Sequence, residues 1–97
     1  MTATTFAPLA IIDLEEIGGY IAKDNPVRAA SFVRELRKKA ESISHAARAY
    51  PERKEIAQGL RVAIHGRYLI LFRTSGGHVE IARIVHSARD LSRIFES

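Results

Sequence analysis

Only a few residues, around Lys23–Asn25, separate two stretches whose apolar residues repeat at helical spacing. A connection that short makes two helices antiparallel neighbours. In the first stretch Ala10, Leu14, Ile17 and Ile21 follow at intervals of four, three and four, which is one face of a helix. Pro8 suits the first turn, where its missing N–H costs nothing. Asp13, Glu15 and Glu16 fall in the early turns, where the helix dipole favours carboxylates. Gly18 and Gly19 each weaken this helix by about 1 kcal/mol relative to alanine, and they let another backbone come close. The second stretch restarts at Asn25-Pro26, a good N-cap followed by a good first helical residue. Ala29, Val33, Leu36, Ala40, Ile43 and Ala47 then repeat over about five turns. Arg34, Arg37, Lys38 and Glu41 occupy the other side.

The period changes at Tyr50-Pro51, because a residue before proline is pushed out of helical geometry. After the polar PERKEIAQG connection, Leu60–His86 reads as strands. Val62 and Ile64 alternate with smaller or polar neighbours, and Tyr68–Phe72 is apolar on both faces, as in a central strand. Ser75-Gly76-Gly77 is a hairpin turn. Thr4–Phe6 is a short β-prone opening. Asp90 is placed to cap a last helix carrying Leu91, Ile94 and Phe95. The reading is one α+β domain over residues 1–97, ordered β-α-α-β-β-β with a short C-terminal helix. The antiparallel helical hairpin packs on one face of a small, mainly antiparallel sheet.

Function classes narrow by subtraction. With no cysteine, disulfides and thiolate metal sites are excluded. His45, His65 and His78 lack metal-ligand spacing, so no metal and no cofactor is expected. There is no Walker loop and no GxSxG elbow. No apolar run approaches the ~20 residues of a membrane helix. The opening MTATTFAPLAII lacks a basic n-region, and the expected compartment is the cytoplasm. A net charge of +4 favours anionic partners.

The pieces PLAIIDLEEIGGYIAKDNPVRAASFVREL, GLRVAIHGRYLILFR and VEIARIVHSARDL together resemble the RelE/ParE superfamily of toxins from type II toxin–antitoxin modules. Within it they look more like the ParE branch. The resemblance implies a toxin bound and silenced by a cognate ParD-like antitoxin, as a hetero-oligomer. ParE-like toxins are associated with inhibition of DNA gyrase and with plasmid stabilisation. RelE-like toxins cleave mRNA in the ribosomal A site. The fold does not choose between these targets.

The residues bear on that choice. RNA cleavage needs proton transfer and neutralisation of phosphate charge. In the tail LSRIFES, Phe95 stands where a titrating aromatic is expected of a RelE-like enzyme, and it moves no proton. A nuclease is left with His86 as acid or base and with Arg61 and Arg83 on the phosphate. Arg83 and His86 are an odd number apart, so a regular strand sends them to opposite faces unless a bulge before Ser87 intervenes. The favoured reading is adhesion without catalysis, through Arg61, Arg83, His86 and Arg89. The structural alternatives are a hydrogen-bonded strand-end histidine and a local cap with an Arg89–Asp90 ion pair. For the antitoxin the candidate contacts are Ile11, Ile12 and Phe32 with Arg34, Arg37 and Lys38. Their structural alternatives are burial for the apolar three and a solvated helix face for the basic three.

Overall fold

The computed structural model describes residues 3–95. Chain order gives strand β1 (Ala3–Phe6), helices α1 (Pro8–Ala22) and α2 (Pro26–Ser42), then strands β2 (Arg61–His65), β3 (Tyr68–Ser75) and β4 (His78–His86). The sheet order is β1-β4-β3-β2. The last three strands form the expected antiparallel meander, and β1 adds to β4 in parallel. The Asn25 side chain accepts the Arg28 N–H at 3.0 Å, so the hairpin is capped as the sequence predicts.

Helix α2 is shorter than its apolar repeat. It stops at Ser42 and gives way to 3-10 turns at Ile43–His45 and Ala47–Ala49. The Ser42 and Ser44 hydroxyls donate back to the Lys39 and Glu41 carbonyls at 2.7 and 3.1 Å, a bond that competes with helix propagation. Ile43 is still buried and Ala47 still packs on the core, so the apolar pattern marked the core correctly and the helix end wrongly. The C-terminal helix likewise reduces to one 3-10 turn, Leu91–Arg93, with Asp90 accepting the Ser92 N–H at 3.0 Å. The final two residues of that expected helix lie outside the described residues.

Two apolar layers flank the sheet. Ala10, Leu14 and Ile17 of α1 and Leu36 and Ala40 of α2 pack on Ile70, Phe72, Ile81 and Ile84. On the opposite face Leu60, Val62, Leu69, Leu71, Ala82 and Val85 lie under Ile56, Ala57, Leu91, Ile94 and Phe95. The connection and the C-terminal turn thus cover the face that the helices leave bare. Ile64, expected to alternate inward, is 66% exposed on the edge strand β2.

The two helical glycines differ. A Cβ on Gly18 would stand 3.2 Å from Val33 Cγ2, whereas one on Gly19 would meet no heavy atom within 4 Å. Gly18 therefore sets the α1–α2 approach. Gly19→Ala is expected to raise stability by about 0.5–1 kcal/mol in urea unfolding. Gly18→Ala is expected to fall short of that gain, because Val33 must give way.

The register of β3 and β4 shifts between Leu71 and Phe72, which pair with Arg83 and Ile81, leaving Ala82 as the extra residue. The bulge lies upstream of both Arg83 and His86, so it does not bring them to one face. It turns Ala82 toward the second layer with Val85, away from Ile84, which corrects the face that regular alternation would give it.

Candidate functional site

β1 pairs with β4 only as far as Ile81, and Ala7 adds one more bond from its N–H to the Ile81 carbonyl at 2.9 Å. Beyond that point the edge of β4 is open, and α1 comes alongside it. Asp13, 6% exposed, fills the gap. Its Oδ2 accepts the Ile84 N–H at 2.9 Å and the Arg83 Nε–H at 2.8 Å, while its Oδ1 accepts from Arg83 Nη2 at 2.9 Å. One carboxylate thus satisfies a backbone donor and the two-pronged fork of a guanidinium. The bond to Asp13 pushes the Arg83 guanidinium further above its ordinary range. The helix-dipole reading of Asp13 is corrected: the carboxylate turns inward, beyond the first turn.

Arg61 is also engaged within the fold, its Nη1 donating to the Tyr50 carbonyl at 2.6 Å. The two arginines Arg61 and Arg83, read as part of a target surface, therefore spend their guanidinium groups on their own chain. The other two, His86 and Arg89, are exposed at the C-terminal end of β4. The Ser87 N–H donates to the Arg67 carbonyl at 2.8 Å, and the Arg89 N–H returns to the His86 carbonyl at 3.0 Å. This tight turn holds Arg89 beside His86, and the two residues line one hollow with Glu16, Tyr20 and Tyr68.

His86 Nδ1 accepts the Ala88 N–H at 3.0 Å. An imidazole whose Nδ1 accepts carries its hydrogen on Nε2. The outward nitrogen is thus a donor.

Next to this end a groove of about 720 Å³ is lined by Tyr20, Ile21, Phe32, Gly66, Arg67, Tyr68 and His86. Its rings form a chain. His65 to Phe32, Phe32 to Tyr68 and Tyr68 to His86 have centroid separations of 5.7, 5.5 and 5.3 Å. Arg28 stacks over Phe32 at 5.1 Å and binds Glu35, which also meets His65 at 3.3 Å. The Arg28 bond, helped by His65, holds the Glu35 carboxyl below the usual carboxylate range. Burial, with Tyr20 nearby, raises the Tyr68 phenol. Phe32, read as an antitoxin anchor, belongs to this groove.

The other antitoxin candidates divide. A second groove, about 460 Å³, runs between α1 and α2 with Ile11, Leu14, Gly18, Ala29, Ala30 and Val33 in its walls, Glu15 on one helix and Arg37 on the other. Ile11 and Ile12 are 39% and 47% exposed. Ile12, Arg34 and Lys38 are solvent-facing and lie outside the groove lining. Among the described residues no three His, Cys, Asp or Glu side chains converge, and no helix is long and apolar enough to cross a membrane.

Residues 5–91 match the family model of the ParE toxin of the type II toxin–antitoxin system parDE. The chain belongs to the ParE toxin family. The fold of this ParE toxin is shared with a chain of the chromosomal ParDE system from P. aeruginosa, at 21% identity and a TM-score of 0.75, covering 89% of this chain and 96% of that one. It is also similar to a chain of the RelBE2 toxin–antitoxin complex from Mycobacterium tuberculosis, at 25% identity and a TM-score of 0.66, covering 90% and 92%. No curated protein sequence matches the chain. The ParE assignment agrees with the branch that the sequence resembles.

Sequence reading missed the Asp13 clamp and the aromatic groove. Asp13 had one usable signal, since it directly precedes Leu14 and lies close to the inward face of Ala10 and Ile17. The groove had none, because its residues come from α1, α2, the β2–β3 turn, β3 and β4.

Proposed function

We propose that this ParE toxin works by adhesion to DNA gyrase in the cytoplasm, and that a ParD-like antitoxin silences it by covering the helical hairpin. The observation that carries the first part is the fixed tautomer of His86. With Nδ1 occupied by the Ala88 amide, the outward Nε2–H has no lone pair with which to take a proton from a 2′-hydroxyl. Arg83 and Arg61 are held by Asp13 and by the Tyr50 carbonyl, so neither is poised beside that imidazole as a phosphate fork. In this reading His86 and Arg89 touch the target. Arg83 and Arg61 shape the surface by fixing β4 and the segment before β2.

The second part rests on the groove between α1 and α2. Ile11 leaves apolar area in water on a helix whose other face is already buried, and Arg37 lies across the groove from it. An amphipathic antitoxin segment with acidic flanks fits that pattern.

A RelE-type mRNA interferase is the second reading, favoured by one observation: Arg67 and Arg89 both border the surface that His86 shares. His86→Ala separates the two when expressed in cells. Adhesion predicts that growth arrest persists, with the required dose rising less than about tenfold. A proton-transferring His86 predicts a loss of about 10²–10⁴-fold and no arrest.

A further inference from the structure

The groove beside β4 has a composition that gyrase adhesion does not require. Its walls carry Tyr20, Phe32, Tyr68 and His86, one arginine, Arg67, and no carboxylate. Tyr20 is 68% exposed, a large aromatic surface left in water at the end of α1. Glu35, three residues along α2 from Phe32, is occupied by Arg28 and His65. Glu16 lies in the adjoining hollow together with Arg89. Among the described residues Arg67 makes no ion pair.

We infer that this groove is a stacking site for an unpaired nucleobase of a single-stranded nucleic acid, with Arg67 and Arg89 on the flanking phosphates. Three features select that ligand. Aromatic faces accept any base, because every base has a π-face. Cations at the rim, without a free carboxylate in the wall, suit the anionic backbone. The His86 Nε2–H, fixed as a donor by the Ala88 amide, suits a carbonyl on a base edge. A duplex keeps its bases stacked inside and offers the groove only phosphate. The same tautomer that removes a base catalyst leaves a hydrogen-bond donor as a grip on the strand. The inference stands on the groove alone and holds whether or not gyrase is the target.

The test is fluorescence anisotropy with the purified full chain and a fluorescein-labelled oligothymidylate of about 12 nucleotides, a length within the usual single-strand site sizes. A duplex of equal length serves as the competitor. The strand is expected to bind at least about tenfold tighter than the duplex. Tyr20→Ala is expected to weaken it about 5- to 160-fold, equivalent to about 1–3 kcal/mol for one stacked base. Tyr20→Phe is expected to restore it, since a phenyl ring stacks. Tyr20 is exposed, so an unchanged circular dichroism melt certifies that each variant folds. Equal affinity for strand and duplex, or a strand affinity indifferent to Tyr20→Ala, overturns the inference. So does a Tyr20→Ala variant that loses binding to purified gyrase subunits while keeping the oligonucleotide, because the groove is then a protein pocket.

Discussion

Asp13→Ala is expected to cost about 3–5 kcal/mol of folding stability, the range for removing one partner of a buried ion pair. The loss has two parts. Arg83 keeps its charge in a site where its side chain is only 13% exposed, and the Ile84 N–H loses its acceptor at 2.9 Å. A domain with a total stability of about 5–15 kcal/mol then sits close to its unfolding midpoint in mild urea. Asp13→Asn is expected to lose less, because the amide oxygen still accepts from Ile84. A double variant, Asp13→Leu with Arg83→Met, is expected to recover the Arg83 part of the deficit, since it buries no charge, while the Ile84 N–H stays without its acceptor. Urea unfolding followed by circular dichroism measures all three. An Asp13→Ala midpoint that matches the unmodified protein would mean that the clamp holds nothing in place.

Ile11→Glu is expected to weaken antitoxin binding by about 100-fold or more while leaving the toxin's own unfolding midpoint nearly unchanged. The asymmetry follows from exposure. Ile11 is 39% exposed in the free chain, so a charge there stays in water, and surface changes of this kind are usually within about 0.5 kcal/mol. On docking, the same carboxylate would be drawn into an apolar groove opposite Leu14 and Val33. A carboxylate there competes with the antitoxin's acidic flanks for Arg37 and repels them, which adds to the loss of an apolar anchor, alone about 2 kcal/mol or more at a hot spot. Ile12→Glu is expected to do less, because Ile12 lies outside the groove. Calorimetric titration of purified toxin with its antitoxin reads both variants. Equal affinities across the series would place the antitoxin elsewhere.

Much of the fold was legible because local signals agreed with one another. The Asn25-Pro26 restart, the four-three spacing and the Gly76-Gly77 turn each act over a few residues, and each sits where the sequence put it. What failed were features decided by specific side-chain bonds, mostly to distant partners. The end of α2 depended on Ser42 and Ser44 back-bonding, which competes with a helical pattern that continues in the apolar residues. The Ala82 bulge depended on the register with β3. The roles of Arg83 and Arg61 depended on partners 70 and 11 residues away in sequence, which composition does not reveal. Arg83 reads as a basic residue on an exposed strand end until α1 brings Asp13 to the open edge of β4. Phe32 reads as surplus to the α2 stripe, and it is; the groove it serves is assembled only when the β2–β3 turn arrives beside it.

Adhesion without cleavage is the central claim, and plasmid supercoiling by purified gyrase, titrated with the purified toxin, tests it most directly. The expected result is inhibition that saturates near one toxin per gyrase subunit of the bound type, retained in His86→Ala and relieved by added antitoxin. Supercoiling that proceeds in full at every toxin concentration, while the same preparation leaves new 5′ ends in ribosome-bound mRNA, would contradict it.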